Sequence, residues 1–241
     1  MREEHTNPMQ KQTATGVMPN FDHDDPKQKQ IGAGEGSQFM LGDLVVFLFI
    51  IVPVQIYSAQ RLWNSPIDSL QMFAALVITY AVVEAASGVL HIVLDNEKFN
   101  CWPVLGDVAQ SFQRHHETPV EISWRPSHKF FLEPAVPYAL VAVQALITRN
   151  DFMCAVLFLA FGMTELMMFS HRWAHMAHRR KPYIAKLLQG TGVIMTDAHH
   201  HVHHRTYDCN FAIFAGWNNG ILNYLVKNAL GADGMRWLVV L

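Results

Sequence analysis

Four long apolar runs stand out along the chain, at residues 39–57, 70–94, 130–147 and 152–169. Each is close to the roughly 20 residues that a helix needs to cross the hydrocarbon layer of a bilayer. The pattern therefore predicts an all-α integral membrane protein built on a four-helix transmembrane bundle. The runs are bounded by turn signals: Asn64-Ser65-Pro66 follows the first, and Thr148 to Asp151 separates the third from the fourth. Pro53 interrupts the first run, and Glu133, Pro134 and Pro137 predict an irregular start to the third.

The remaining segments are polar or mixed. Residues 1–38 are Gln-rich and acidic, end in a Gly-rich stretch, and are expected to form a disordered tail ahead of a membrane domain at 39–241. His5 and His23 lie in that tail and are expected to be exposed and without function. Residues 96–129 read as polar and irregular, too long for a simple connector, which suggests site-building structure. In 183–195, Ile184, Leu187, Leu188 and Thr191 recur at helical spacing, as in a helix lying on the membrane surface. Residues 211–226 are aromatic and apolar but broken by Gly216 and Asn218-Asn219-Gly220, so a loop and an interfacial helix are expected, not a fifth crossing.

Composition strengthens the membrane reading. Of 241 residues, 51% are hydrophobic and 16% charged, where soluble domains carry about 25% charged residues. The net charge of −2 gives no case for nucleic-acid binding. Cys101, Cys154 and Cys209 are widely spaced, which argues against a disulfide framework or zinc–thiolate site, and no cleaved signal peptide is read at the start. With four crossings, residues 1–38, 95–129 and 170–241 share one side and carry 4, 4 and 8 lysines and arginines, against 1 and 1 in the two turns opposite. That excess marks the first side as cytoplasmic.

The same topology gathers the histidines on the cytoplasmic side. Asp197 to His204 reads D-A-H-H-H-V-H-H, and in a helix His200, His203 and His204 share a face with His199 at its edge. His115-His116 precede a turn at Glu117-Thr118-Pro119, His171 and His175 stand four apart, and His91 lies at the end of the second run with Asp95 four residues on. A surface tract at 199–204 alone would be a bland explanation; three clusters and one further histidine meeting at one level point to metal. Eight or nine imidazoles exceed the needs of one zinc and suit two metals, and of the metals that nitrogen-rich sites favour, iron and copper readily activate dioxygen. Ionisable residues within spans call for a role: Glu84 shares a face with His91, and Glu165 is expected to partner a histidine. Gly88, Met163 and Met167 are candidates to line a groove for a lipid chain. A membrane metal-binding or transport protein is the non-enzymatic alternative, although transport would place polar residues at mid-membrane.

The segments S-G-V-L-H-I-V-L-D (87–95), F-Q-R-H-H-E-T-P (112–119), S-H-R-W-A-H (170–175), H-H-H-V-H-H (199–204) and A-G-W-N-N (215–219) resemble the plasmanylethanolamine desaturase family, within the membrane fatty acid desaturase and hydroxylase superfamily. The resemblance covers about residues 80–220. It implies oxygen-dependent desaturation of a membrane lipid at a diiron site, with O2 as co-substrate and electrons from a partner such as ferredoxin or cytochrome b5. The product it implies is the vinyl ether of a plasmalogen; an acyl-lipid desaturase, such as one placing a trans-3 double bond in palmitoyl phosphatidylglycerol, or a hydroxylase, is the alternative. His91, His115, His116, His171, His175, His200, His203 and His204 match the family's essential histidines. His199 also matches a family histidine, which implies a further iron ligand; His201 matches a variable position, which implies a bystander, and Glu84 a family acidic position. Asp95 stands where the superfamily's first box has a second histidine, which implies an iron ligand or the orienter of one. Ile92 replaces a tryptophan frequent in the family.

Overall fold

The computed structural model describes residues 21–35, 41–103, 106–132 and 135–229. All regular structure among them is helical. Helix α1 is Pro26–Glu35, followed by α2, Leu41–Val46, and α3, Val52–Trp63. Between α2 and α3 the π turn Phe47–Ile51 keeps the helix continuous, with the Val52 N–H reaching the Phe47 carbonyl five residues back. The looser turn lies just ahead of Pro53, which has no N–H to donate and whose ring would crowd a regular preceding turn.

Helix α4, Ser69–Leu94, opens on a capping box in which the Asp68 carboxylate accepts from the Gln71 amide while the Gln71 side chain accepts from the Asp68 amide. Helix α5 is Gly106–Glu117, α6 is Ser127–Leu132, α7 is Ala135–Ile147 and α8 is Asp151–Ala174, the last capped by Asn150. Among the described residues, three helical stretches are long and apolar enough to cross a membrane: Gly42–Trp63, Ser69–Leu94 and Asp151–Ala174. Their outward faces are apolar, with Phe49, Leu70 and Phe73 well exposed, as expected where lipid replaces water. Inside, Ala75, Ala142, Ala145, Cys154 and Ala155 form much of a small-residue core that lets the helices approach closely.

The third apolar run is helical on both sides of the irregular start that its sequence predicts. It is traversed by α6 and α7, separated by residues 133–134, which lie outside the described residues. Both run antiparallel to α8: Ser127 bonds to Arg172, Phe130 packs on Phe169, and Tyr138 packs on Phe161. Among the described residues there are three continuous spans, with α6 and α7 packed beside α8. Arg61 ties the two turns at one end, bonding the Asp151 carboxylate at 2.8 Å and the Thr148 carbonyl. The histidines gather at the opposite end.

That end is more ordered than its composition suggests. Residues 96–129 contain the short 3-10 turns Glu97–Cys101 and Glu121–Ser123 as well as α5 and part of α6. Helix α9, Tyr183–Gly190, exposes Tyr183, Ile184 and Leu187, and helix α11, Asn219–Ala229, exposes Ile221, Tyr224 and Leu225. The 11 described residues of α11 are by themselves too few to cross. Within the polar N-terminal stretch, residues 21–35 are folded, not disordered: α1 packs on the 3-10 turn after α5, and Gln28 is buried. His23 is half-buried rather than exposed, and His5 lies outside the described residues.

Candidate metal centre

Four helices carry the histidines to one place. His91 lies in the last turn of α4 with Asp95 as its C-cap, His115 and His116 end α5, and His171 lies in the last turn of α8 with His175 as its C-cap. His200, His203 and His204 come from α10, Asp197–Thr206, whose N-cap Thr196 accepts from the His199 amide. The negative ends of three helix dipoles therefore converge on the same point, which favours a cation there.

The side chains form two groups whose ligand atoms lie within 4.8 Å of one another: His115, His171, His175, His200 and His204, and beside them His91, Asp95, His116 and His203. In the first, His115 Nε2 is 3.1 Å from His171 Nε2 and 3.0 Å from His175 Nε2, and His200 and His204 face each other at 3.1 Å. In the second, Asp95 reaches His116 at 2.9 Å, His203 at 3.3 Å and His91 at 3.4 Å. All nine residues are buried.

The donor set fits two metal ions. His91 Nδ1–H donates to the Phe211 carbonyl at 2.7 Å and His203 Nδ1–H to the Cys209 carbonyl at 2.8 Å, which leaves each Nε2 unprotonated and facing the site. Those two Nε2 atoms and Asp95 Oδ2 are buried without a hydrogen-bond partner among the described residues, as atoms awaiting a cation would be. Burial holds His115, His175, His200 and His204 well below the ordinary imidazole pKa, and their neighbouring imidazoles push the same way. Burial works to raise the Asp95 pKa, but the neighbouring His91 and His116 and the hydrogen bond with His116 hold it well below the carboxylate range. Neutral imidazoles and one ionised carboxylate are the forms that bind metal.

Acid is therefore expected to dismantle the centre. These imidazoles have pKa values depressed from 6.5 in the fold, so their stabilising contribution is complete above about pH 6.5 and is lost as pH falls below it, when the unfolded chain takes up protons first. Asp95, ionised throughout that window, does not contribute to the loss. Metal content and thermal midpoint measured from pH 7.5 to 5 should fall together and steeply; a flat profile would show that these histidines are not held neutral.

An irregular stretch, residues 209–216, orients the candidate ligands. It runs along α4, where the Ala215 and Gly216 amides donate to the Glu84 carboxylate at 2.8 and 2.7 Å and the Ile213 amide donates to Ser87 Oγ at 3.3 Å. From the other side Ser170 Oγ donates to the Phe214 carbonyl at 2.6 Å, and Asn219 Oδ1 accepts from the Ala212 amide at 2.8 Å. At Gly88 a Cβ would meet the end of the Leu222 side chain of α11 and lie 3.4 Å from Ala212 of this stretch. Gly88 is thus covered by this stretch and does not line a lipid groove, whereas Met163 and Met167 pack in the core between α4 and α8. Tyr207, at φ 60° in the left-handed region, ends α10 and lays its ring 4.9 Å from that of His116; such a conformation in a bulky residue is costly and marks a constrained site.

Three expected roles change. His199 is outside both groups: its Nε2 accepts from Asn219 Nδ2 at 2.8 Å. On α10 it sits at one edge of the face formed by His200, His203 and His204, as His201 does at the other. Glu84 holds backbone amides rather than a histidine, and so acts through residues 211–216. Glu165 is buried but has no hydrogen-bond partner among the described residues; six residues before His171, it points about 240° around the helix from it. Ser87, Ser170, Asn219 and the Phe211 and Cys209 carbonyls escaped sequence reading, Asn219 alone having a signal, its place in A-G-W-N-N.

Replacing Glu84 by alanine leaves two buried amides unpaired, at about 1–3 kcal/mol each. The expected outcome is a loss of roughly 2–4 kcal/mol in unfolding free energy, measured by denaturant titration in detergent. A change below about 0.5 kcal/mol, the size expected of an ordinary surface substitution, would refute this role.

Among known proteins, the chain matches the lipid desaturase domain over residues 80–227, a range containing both ligand groups. It is 29% identical over 155 residues to fatty acid desaturase 4, chloroplastic, of Arabidopsis thaliana, covering 63% of this chain and 48% of that protein. It is 27% identical to fatty acid desaturase 4-like 1 of the same plant, covering 62% and 52%, and 28% identical to fatty acid desaturase 4-like 2, covering 66% and 56%. The chain thus spans about half the length of the curated relatives it matches. No solved structure matches it significantly. With nine buried side chains placed to hold metal inside the matched region, the chain belongs to the lipid desaturase domain family.

Proposed function

We propose that the protein desaturates a membrane phospholipid using two iron ions and O2, and that its preferred substrate is the 1-O-alkyl chain of an ether phospholipid, which becomes a vinyl ether. The observation that carries the reading is the pair of buried, nitrogen-rich groups, five imidazoles beside three imidazoles and a carboxylate, at one end of apolar spans. Bound iron would supply the oxidising power that an unactivated C–H bond requires. The overall balance is one CH2–CH2 unit, O2, two electrons and two protons giving one CH=CH unit and two waters. We assign the electrons to an external carrier such as ferredoxin or cytochrome b5.

The chain's own part is to bind, orient and exclude water. The carbonyls of Phe211 and Cys209 fix two imidazoles with Nε2 inward, Asp95 places one negative charge beside the cations, and Phe211 and Phe214, both fully buried, keep the backing dry. The centre sits where the spans end, near the level of lipid head groups. A chain lying along the bundle would present its carbons closest to the head group, which suits the bond next to an ether oxygen. In this reading residues 127–147 complete a fourth passage, and the excess of lysine and arginine places the centre on the cytoplasmic side.

A second reading has its own support: the relatives are named fatty acid desaturases, which favours an acyl chain as substrate. Lipid mass spectrometry of a host with and without the gene, supplied with alkyl-ether lipid, separates the two. Acid-labile vinyl ethers that require the gene are the expected result. A new acyl double bond with no vinyl ether would establish the second reading, and a hydroxylated lipid would refute both.

A further inference from the structure

Residues 21–35 lie outside the region matching the family, yet they touch the metal centre. The Phe21 ring is 4.1 Å from that of His201, stacks at 6.4 Å over His175, and meets His204 edge-on at 6.0 Å. His175 and His204 belong to the five-histidine group, so Phe21 covers the outer side of that group. The segment behind it is anchored to both loops that leave the histidines. After His115 and His116 the chain runs to Val120–Trp124: the Val120 amide donates to Gln28 Oε1 at 2.9 Å, and the Lys29 ammonium lies 4.6 Å over the Trp124 ring. After His175 it runs to Arg179 and Arg180: Arg179 bonds the Asp24 carboxylate, and Arg180 stacks on Trp124 at 3.3 Å.

The anchors differ in strength. Asp24 and Arg179 are each 67% exposed, and such a pair is worth little in water. Gln28 is 2% exposed and satisfies a buried amide. Gly32 lies so close to the turn that a Cβ would run into the Glu121 carbonyl oxygen. Docking therefore depends on Gln28 and on the absence of a side chain at position 32.

We propose that residues 21–35 are a wall of the metal centre, in which Phe21 is a positioning residue that closes the water-facing side of the five-histidine group while α1 holds it against Val120–Trp124. The inference rests on the metal-centre reading above. Closing a reactive site against water protects it from side reactions, and a wall held by so few buried contacts opens more readily than the helical spans.

The test is the rate at which the full chain, purified in detergent and loaded anaerobically with ferrous iron, gives up metal to ferrozine. Losing a buried hydrogen bond or a tight packing contact shifts an opening equilibrium by factors of about 5–30. Gln28→Ala is expected to release iron about fivefold faster, and Gly32→Leu and Phe21→Ala more than about tenfold faster. Phe21→Leu, which keeps an apolar cover, should restore most of the slow rate, and Asp24→Ala should stay within about twofold of the unaltered chain. Unchanged release in both Gly32→Leu and Phe21→Ala would overturn the proposal. Hydrogen exchange at the Val120 amide of the unaltered chain gives a check that needs no variant: protection supports docking, and exchange at the rate of an open loop overturns it. An unaltered chain that binds no iron would instead sink the metal-centre reading, whatever the exchange at Val120.

Discussion

His203→Ala is expected to lower bound iron from about two ions per chain to about one and to reduce product formation by more than about 100-fold. His203 belongs to the smaller group, where three imidazoles and Asp95 are the donor set among the described residues. Removing one leaves three donors, and the loss of a partner that merely orients a ligand already costs 10–100-fold in affinity or activity. The substitution also strands the Cys209 carbonyl, which accepts from His203 Nδ1, so the turn ending α10 loosens as well. His204→Ala provides the internal comparison. It leaves four imidazoles in the larger group, enough for a four-coordinate ion, and is expected to keep more metal than His203→Ala even where activity falls. Elemental analysis of both variants, beside lipid analysis of their hosts, checks the pair. Two irons and undiminished product in His203→Ala would remove the smaller group from the metal centre.

The two groups were legible in the sequence as a set but not as a partition. Spacing placed His171 with His175 and His200 with His203 and His204, yet the structure splits the last three, giving His203 to one group and His200 with His204 to the other. Periodicity says which side chains share a helix face; which of them meet depends on the angles at which four helices arrive. Asp95 was visible because it follows His91 by one helical turn. The over-assignment of His199 has the same origin: one residue from His200, it lies at the edge of the face, and only the loop carrying Asn219 decides that it bonds there.

Long spans were legible for an equally physical reason. Runs such as 70–94 and 152–169 must hide every backbone polar group in their own hydrogen bonds, so their length and apolarity nearly dictate helix. The third run meets the same criterion of composition, and its described parts, α6 and α7, are helical as well. The tail departs from its composition. Its composition is that of a disordered segment, but Gln28 and Gly32 each serve one specific contact with the turn after α5. Averages over a window cannot show a contact between residues 92 positions apart.

Withdrawing the metal is expected to lower the thermal midpoint by roughly 8–16 °C in detergent. An ion at a thousand times its dissociation constant stabilises the fold by about 4.1 kcal/mol, and each kcal/mol moves the midpoint of a chain of this size by about 2–4 °C. Local chemistry supports a loss of that order. Without a cation, His115 Nε2 faces both His171 Nε2 and His175 Nε2; one shared proton can satisfy only one such contact, and each buried lone pair left over costs about 1–3 kcal/mol. The damage should be confined to the histidine end. Helices α4 and α8 are also held by the core around Ala75, Ala142 and Ala155 and by the Arg61–Asp151 pair at the far end, none of which touches the ligands. Circular dichroism of the chelated protein should therefore retain the signal of the spans while losing a fraction attributable to α5 and α10. Adding zinc should restore the midpoint without restoring product, because zinc accepts the same imidazoles but has no redox chemistry. A midpoint indifferent to chelation would mean that the nine side chains pack stably by themselves, leaving the convergence of three helix ends without the cation that explains it.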